Sequence, residues 1–157
     1  MKKAIRVLIF ILICEGAGII GSVFTMPSIP GWYAGLSKPP FNPPSWIFGP
    51  VWTILYAMMG LSAYLIYQSG IGKKQVKRAL AVFAVQLLLN TLWSIVFFGV
   101  HMIFAAVIVI LLLWGMILVT IIVFHRISKA AAYLLIPYIL WVSFATVLNI
   151  SLYILNR

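Results

Sequence analysis

Residues 103–124 read Ile103-Phe-Ala-Ala-Val-Ile-Val-Ile-Leu-Leu-Leu-Trp-Gly-Met-Ile-Leu-Val-Thr-Ile-Ile-Val-Phe124, a run without a charged side chain. About 20 mostly apolar residues are enough for an α-helix to cross the hydrocarbon core of a bilayer. A surface helix of a soluble protein would instead carry polar residues along one face. The run therefore predicts a membrane-spanning helix.

Four further segments have the same character, so five spans are predicted. Together they cover residues 4–24, 46–68, 79–98, 103–124 and 130–155. Of the 157 residues, 65% are hydrophobic and 8% are charged, where soluble domains have roughly 45–50% and roughly 25%. We expect an all-α integral membrane protein, a bundle of five transmembrane helices in one domain of residues 1–157. This composition excludes a cytosolic enzyme, a coiled coil and a disordered tail.

The positive charges divide unequally between the two sides of the predicted bundle. Nine Lys and Arg residues lie in the N-terminus and in the second and fourth connections, whereas only Lys38 and Arg157 lie on the other side. Because basic connections stay in the cytoplasm, we expect a cytoplasmic N-terminus, with the first loop and the C-terminus outside. The net charge of +10 does not predict nucleic-acid binding, since the cations lie in short breaks between apolar runs.

No metal site, cofactor or disulfide framework is expected from the sequence. Cys14 is the single cysteine, and His101 and His125 flank the fourth span at opposite ends. The chain also has no Walker-type glycine loop and no pair of carboxylates. These absences argue against hydrolytic chemistry of the common kinds.

The first connection, from Met26 to about Ser45, is rich in proline and aromatic residues. Six prolines, at positions 27, 30, 39, 40, 43 and 44, fix φ and remove amide donors, so the segment cannot be helical throughout. Its apolar rings include Trp32, Tyr33 and Phe41. We favour a lid folded onto the bundle; the alternative is an interfacial aromatic belt.

Three predicted helices carry aromatic and polar residues at helical spacing. The stripes are Trp52, Tyr56, Met59 and Ala63 on the second helix, Gln86, Asn90, Trp93 and Phe97 on the third, and Tyr138, Trp141, Ala145 and Asn149 on the fifth. Carboxamides are costly against lipid, so the stripes should face the interior. They form either an apolar cavity with a few orienting polar groups or interhelical contacts between polar side chains.

Glu15 is the only acidic residue and is expected near the middle of the first span. No cation lies at a comparable depth, so we expect a protonated carboxyl group that bonds to a neighbouring helix. Two pairs of small residues surround it, Ala17 with Gly21 and Gly18 with Ser22. Such pairs allow close helix approach, either within the bundle or at a dimer interface.

Several groups of residues match the motifs of a known protein family. They are Trp32-Tyr-Ala-Gly-Leu-Ser-Lys-Pro-Pro-Phe-Asn-Pro-Pro44, Gly49-Pro-Val-Trp-Thr-Ile-Leu-Tyr56, Gln86-Leu-Leu-Leu-Asn90 with Phe97-Phe-Gly99, and Pro137-Tyr-Ile-Leu-Trp141 with Phe144-Ala-Thr-Val-Leu-Asn149. In these motifs and their order the chain resembles the translocator protein family. Its bacterial members are called tryptophan-rich sensory proteins and its animal members peripheral benzodiazepine receptors.

The resemblance implies a five-helix bundle, often a homodimer, with a ligand pocket beneath the first loop. It implies that the ligands are porphyrins and other tetrapyrroles, sterols, and synthetic isoquinoline carboxamides and benzodiazepines. Matched by motif, the pocket residues are Trp52, Asn90 and Trp141, with Tyr56, Trp93, Tyr138, Ala145 and Asn149 nearby, and Trp32 and Pro44 from the loop. Because these positions coincide with the stripes, a cavity becomes the favoured interpretation.

We therefore expect a receptor or translocator that binds planar hydrophobic ligands and is not an enzyme, with a porphyrin as ligand rather than cofactor. Rings would stack on Trp52 and Trp141, Asn90 and Tyr138 would orient polar substituents, and Lys38 would meet ligand carboxylates. In some family members, tryptophans matching Trp52 and Trp141 have been tied to light-dependent porphyrin breakdown, so an enzyme stays an alternative. A regulatory protein that binds a partner through the first helix is a third.

Three further details qualify the resemblance. Leu148, Tyr153 and Arg157 match a weak sterol-contact pattern. Phe41 stands where many members carry a second tryptophan, and Val109 where members commonly have an aspartate on the fourth helix. Roles that need that indole or that carboxylate are not carried over to this chain.

Overall fold

The computed structural model describes residues 2–157, and the chain is almost entirely helical over this range. The helices are α1 (Lys2–Ser28), α2 (Phe48–Gln68), α3 (Lys74–Ser94), α4 (Ile103–His125), α5 (Lys129–Leu134) and α6 (Ile136–Leu155). Helices α5 and α6 together form the fifth span, so that five helical segments are long and apolar enough to cross a membrane. The predicted all-α, five-span architecture is confirmed.

Helix α1 is longer than the sequence predicted. Its end was expected at residue 24, but it continues through Pro27 to Ser28 and then as a π-helical turn, Ile29–Tyr33. The wider π-helical turn changes the carbonyl partners of the backbone amides, which is how spanning helices accommodate proline. As a result, only the second half of the expected loop, residues 36–44, is irregular before a 3₁₀ turn at Ser45–Ile47.

Two other spans differ from the prediction at their ends. Helix α3 begins at Lys74 instead of residue 79, because Lys and Arg side chains can extend to the membrane surface while their backbone stays helical. It also continues into a second π-helical turn, Ile95–Gly99. The fifth span is divided at Leu135, just before Pro137 in the first turn of α6, since proline lacks the amide that would continue α5.

The helices pack in a ring. Helix α1 lies against α2 and α3, helix α4 lies against α3, α5 and α6, and α2 closes the ring by packing along α5. The backbones of α2 and α6 have few close approaches, and the two helices meet through aromatic side chains: Phe48 with Trp141 at 6.1 Å and Trp52 with Tyr138 at 6.2 Å between ring centroids.

The end of the bundle that contains α5 is filled by apolar side chains. Met59, Ile66, Val76 and Phe124 are fully buried there, and the ring of Phe124 stacks on that of Phe83 at 5.8 Å between centroids. The Ser62 hydroxyl donates to the Ala131 carbonyl oxygen at 2.7 Å and joins α2 to α5. The interior of this end is thus filled, and the internal cavity lies in the other half of the bundle.

Small residues let α1 approach its neighbours. A Cβ added at Gly60 of α2 would lie 2.7 Å from the backbone nitrogen of Ile11. A Cβ added at Gly21 of α1 would lie 3.1 Å from Oγ of Ser94 on α3. The sequence left two roles open for the small residues of the first helix: close packing within the bundle or at a dimer interface. Gly21 packs within the bundle.

Candidate functional site

A cavity of about 410 Å³ lies in the half of the bundle nearest the first loop. Its wall is built from α1, α2, α6, the end of α3 and the π-helical turn that follows it, whereas α4 contributes no lining residue. Ligand pockets have volumes of about 300–1,000 Å³ and mostly apolar walls. The cavity has the size and character of such a pocket.

Four indole rings line this cavity, three from α-helices and one from a 3₁₀ turn. Trp52 belongs to α2, Trp93 to α3 and Trp141 to α6, and Trp46 lies in the 3₁₀ turn before α2. The sequence had placed Trp52, Trp93 and Trp141 on stripes facing the interior, and the structure brings these stripes together. Tyr56, Ala145 and Asn149 also line the cavity.

The indole rings are held by aromatic neighbours. Trp93 stacks on Phe97 at 5.4 Å and 19° between ring planes, and Trp52 lies 5.6 Å from Tyr56. Trp141 contacts Phe144 at 5.5 Å. Each of these three rings packs against another ring as well as the cavity, so this part of the wall is formed before any ligand binds, whereas Trp46 is largely exposed.

Helix α1 forms a wall that the sequence interpretation did not assign to the pocket. The stripes had suggested a hollow among the second, third and fifth spans, but Gly18, Gly21 and Ser22 of α1 also line it. The signal was present as the two pairs of small residues. Gly18 and Gly21 let α1 lie directly against Tyr56 and Ser94, which also line the cavity.

Glu15 lies on the cavity wall. Its carboxyl group makes no hydrogen bond to any residue that the structure describes, so the expected bond to a neighbouring helix is not formed. A group of at least three His, Cys, Asp or Glu residues that could hold a metal ion is also absent from the described chain. Among the described residues, Glu15 is thus the only carboxyl group on a largely apolar wall.

Asn90 and Tyr138 lie behind the wall instead of on it. Tyr56 donates its hydroxyl hydrogen to Oδ1 of Asn90, and Nδ2 of Asn90 donates to the Tyr138 hydroxyl oxygen at 3.1 Å. The Tyr138 hydroxyl in turn donates to Oε1 of Gln86 at 2.9 Å. Because these groups are buried and bonded to each other, the expectation that Asn90 and Tyr138 orient a ligand is not met by this geometry. They form the interhelical contact that was the alternative interpretation.

Two of the lining side chains are also joined across helices. Nε1 of Trp93 donates to Oδ1 of Asn149 at 2.9 Å, and Nδ2 of Asn149 donates to the Ile103 carbonyl oxygen at 3.4 Å. By contrast, Nε1 of Trp141 is buried and has no hydrogen-bond partner among the described residues. A buried donor without an acceptor is uncommon in proteins, and this one belongs to a ring of the cavity wall.

The loop folds onto the bundle, as the lid interpretation expected. Asn156, after the end of α6, donates through Nδ2 to the Ser37 carbonyl oxygen and accepts through Oδ1 from the Ser37 amide, each at 2.9 Å. The Tyr33 hydroxyl donates to Oδ1 of Asn42 at 2.6 Å. These bonds join both halves of the irregular segment to the helices, so the segment is a cap over the bundle end.

Three loop residues expected at the pocket lie elsewhere. Trp32 stacks on His101 at 4.3 Å between ring centroids, and Pro44 is exposed; neither lines the cavity. Nζ of Lys38 donates to the carbonyl oxygens of Ala34 and Leu36, so its contacts stabilise the lid. The loop contributes through Tyr33 instead, which lines the cavity.

The weak sterol-contact pattern does not form one surface. Leu148 is buried and lines the cavity, while Tyr153 packs against Phe104 of α4 at 5.2 Å between ring centroids. Side chains that face different neighbours cannot contact one face of the same sterol.

The cavity opens sideways between α1 and α2. Ile19, Met26 and Trp46 all line it, yet they are 64%, 71% and 75% exposed. A side chain that is both on the cavity wall and on the outer surface marks an opening. This opening lies along the apolar spans, on the surface that faces the bilayer.

Comparison with known proteins agrees with this architecture. The model of the TspO/MBR family matches residues 10–155. The chain is 42% identical to the tryptophan-rich protein TspO of Chlorobaculum tepidum, over 99% of this chain and 98% of that protein. It is 39% identical to the translocator protein of Bos taurus, over 89% and 83% of the two chains. It is 40% identical to the tryptophan-rich sensory protein of Cereibacter sphaeroides, over 80% and 77%.

Proposed function

The chain belongs to the TspO/MBR family and is an integral, multi-pass membrane protein, and on this premise we propose that it is a receptor or translocator for planar hydrophobic ligands. Porphyrins and other tetrapyrroles are the first candidates, and sterols and drugs of the benzodiazepine class come next. The names of relatives, "translocator protein" and "tryptophan-rich sensory protein", are compatible with transport or sensing. The ligand would occupy the cavity beneath the lid.

The observation that carries the proposal is the aromatic wall. Trp52, Trp93 and Trp141 line one cavity from three helices. A flat conjugated ligand offers large faces, and contacts between aromatic rings contribute about 0.5–1.5 kcal/mol each beyond the area they bury. A wall of indoles therefore favours a planar ring system over a flexible lipid chain of equal volume.

The unpartnered indole N–H adds a polar preference. After a small rotation of the Trp141 ring, a carbonyl or carboxylate oxygen on the ligand would accept a hydrogen bond from Nε1. A buried donor that gains an acceptor recovers about 1–3 kcal/mol. A pure hydrocarbon of the same shape would gain no such hydrogen bond.

The position of the opening favours access from the bilayer. A planar hydrophobic molecule dissolves in the apolar phase and could pass between α1 and α2 beside Ile19 and Met26. The lid, held to α6 through Ser37 and Asn156, closes the route along the bundle axis. We therefore assign entry to the side of the bundle.

The test is a titration of the purified full chain with protoporphyrin in detergent, followed by the absorbance of the porphyrin. Trp52→Phe with Trp141→Phe should lower the affinity by about tenfold, since two indole contacts are weakened. Trp114→Phe is the matched control, because the Trp114 indole bonds to Ser143 and does not line the cavity. Equal affinity for all three proteins, or equal loss in the control, would contradict binding in this cavity.

Illumination of the same complex separates binding from catalysis. For a receptor we expect no more than one equivalent of porphyrin to be modified per chain. Turnover of many equivalents, measured by mass spectrometry of the tetrapyrrole, would favour the light-dependent enzyme instead.

A further inference from the structure

A second groove lies at the end of the bundle away from the lid, where α3 begins and α4 ends. It has a volume of about 780 Å³. Its lining residues are Lys73, Lys74, Gln75, Arg78 and Val82 from the start of α3, and Val123, Arg126 and Ile127 from the end of α4 and the residues after it. Four of these eight side chains are cations.

The charge of this groove is not balanced by the chain itself. No carboxylate lines it, and the only acidic side chain of the protein, Glu15, lines the cavity beneath the lid. Neighbouring cations without a counterion repel one another, and this repulsion is relieved when an anion binds between them. The positive-inside rule accounts for cations on this side of the membrane, but not for their convergence from two helices on one groove.

Apart from the four cations and Gln75, the lining of the groove is apolar. Val82, Val123 and Ile127 are partly buried and line the groove beside the four cations. The α3 positions concerned, 74, 78 and 82, are spaced by four residues and therefore lie on one face of the helix. That face runs from the charged end of the helix toward the apolar middle of the span. A ligand with a charged head and an apolar tail matches this sequence of surfaces.

We propose that this groove binds the phosphate headgroup of an anionic phospholipid, with the acyl chains along the apolar part of α3 and α4. Arg78 and Arg126 offer paired N–H donors that match two phosphate oxygens, and Lys73 and Lys74 add positive charge. Basic grooves at helix ends on the cytoplasmic side of membrane proteins are suited to such headgroups. A lipid is favoured over free phosphate, because only a lipid would use the apolar lining.

The chain provides a matched control for the test. Lys77 lies on the same turn of α3 as Lys74 and Arg78 and is exposed, but it does not line the groove. Lys77→Gln therefore removes one charge from the same membrane surface without changing the groove. Arg78→Gln and Arg126→Gln each remove one charge from the groove itself.

The experiment uses the full chain in nanodiscs of phosphatidylcholine with a minor fraction of phosphatidylglycerol. Native mass spectrometry counts the phosphatidylglycerol molecules that stay bound after the disc is released. We expect retention by the wild-type protein and by Lys77→Gln, and about fivefold weaker binding for each of Arg78→Gln and Arg126→Gln. Unchanged porphyrin affinity in the variants would show that they are folded.

Other outcomes would overturn the proposal. Equal loss in Lys77→Gln and Arg78→Gln would indicate a diffuse surface charge instead of a site. Retention of phosphatidylcholine and phosphatidylglycerol in proportion to their content would show no selection for an anionic headgroup. Inorganic phosphate that displaces the lipid at equal concentration would show that the apolar lining contributes nothing, and that the ligand is not a lipid.

Discussion

Gly18 of α1 lies directly against the aromatic ring of Tyr56 on α2, so that a Cβ at position 18 would be 2.6 Å from Cδ2 of that ring. The same tyrosine lines the ligand cavity on one side and donates its hydroxyl hydrogen to Asn90 on the other. A contact between α1 and α2 therefore fixes a ring that belongs both to the cavity wall and to the buried polar network.

This contact predicts a large effect of one methyl group. Gly18→Ala should lower the free energy of unfolding by about 1–3 kcal/mol, because the Tyr56 ring must move and an overpacked core is strained. Thermal unfolding in detergent measures the change. Gly16→Ala is the control, since a Cβ at position 16 meets no atom within 4 Å. A similar loss of stability in both variants would show that the effect at position 18 does not depend on Tyr56.

The buried network predicts that Tyr138 stabilises the fold without contacting the ligand. Tyr138→Phe leaves Oε1 of Gln86 and Nδ2 of Asn90 without their partner, and an unsatisfied buried polar group costs about 1–3 kcal/mol. We expect a lower unfolding temperature and an unchanged affinity for protoporphyrin. Tyr133→Phe, at an exposed position of α5, should change neither. A variant of Tyr138 that unfolds normally but binds porphyrin poorly would restore the ligand role that the sequence suggested.

Glu15 predicts a dependence of affinity on ligand charge. Among the described residues it is the only acidic or basic side chain on the cavity wall, and Glu15→Gln keeps its shape while removing the possibility of negative charge. We expect the affinity for a cationic planar dye to fall by about tenfold, because a cation bound beside Glu15 favours the ionised carboxylate and a hydrogen bond to a charged group contributes about 1.5–3 kcal/mol. The affinity for a porphyrin with carboxylates should stay the same or rise. Ser22→Ala on the same wall serves as the neutral comparison, and equal changes for both ligands would rule out charge recognition by Glu15.

The backbone conformation at His101 predicts that replacement by glycine destabilises the protein less than replacement by alanine. Its φ of 62° is the only positive φ of a non-glycine residue in the described chain. Glycine adopts such a φ without strain, whereas alanine does not. Both variants lose the stack on Trp32, so their difference isolates the backbone, and His101→Gly should be about 1 kcal/mol more stable than His101→Ala. The neighbouring Val100, whose φ is −95°, provides the control. Thermal unfolding should show that Val100→Gly is no more stable than Val100→Ala.

The distribution of basic residues predicts the orientation of the bundle. With five spans, the two termini must lie on opposite sides, and nine of the eleven Lys and Arg residues lie on the side of the N-terminus. Single cysteines introduced near Lys3 and near Arg157 should react differently with a membrane-impermeant reagent in intact cells, with only the C-terminal one labelled. Cys14 is buried and should stay unlabelled. Labelling of both sites would contradict an odd number of spans.

The apolar runs alone determined the number and kind of the helices. A bilayer offers no hydrogen-bond partners for backbone amides and carbonyls. A long apolar segment that crosses it therefore forms a helix, which satisfies these groups within the segment. Prolines at positions 39–44 similarly made an irregular lid unavoidable. Where the prediction failed, at Pro27 and Pro30, the chain remained helical because a π-helical turn provided other hydrogen-bond partners.

The tertiary structure alone decided which members of each stripe meet a ligand. Helical spacing puts Asn90 and Trp93 on one face of α3, and Tyr138 and Trp141 on one face of α6, but it does not fix how far apart the helices stand. Where α2 packs against its neighbours, Asn90 and Tyr138 are close enough to bond to each other. One turn nearer the loop, Trp52, Trp93 and Trp141 line the cavity instead of bonding to one another. Helical periodicity determines which face of its helix a side chain occupies, whereas the distance between facing side chains depends on the packing of all five spans.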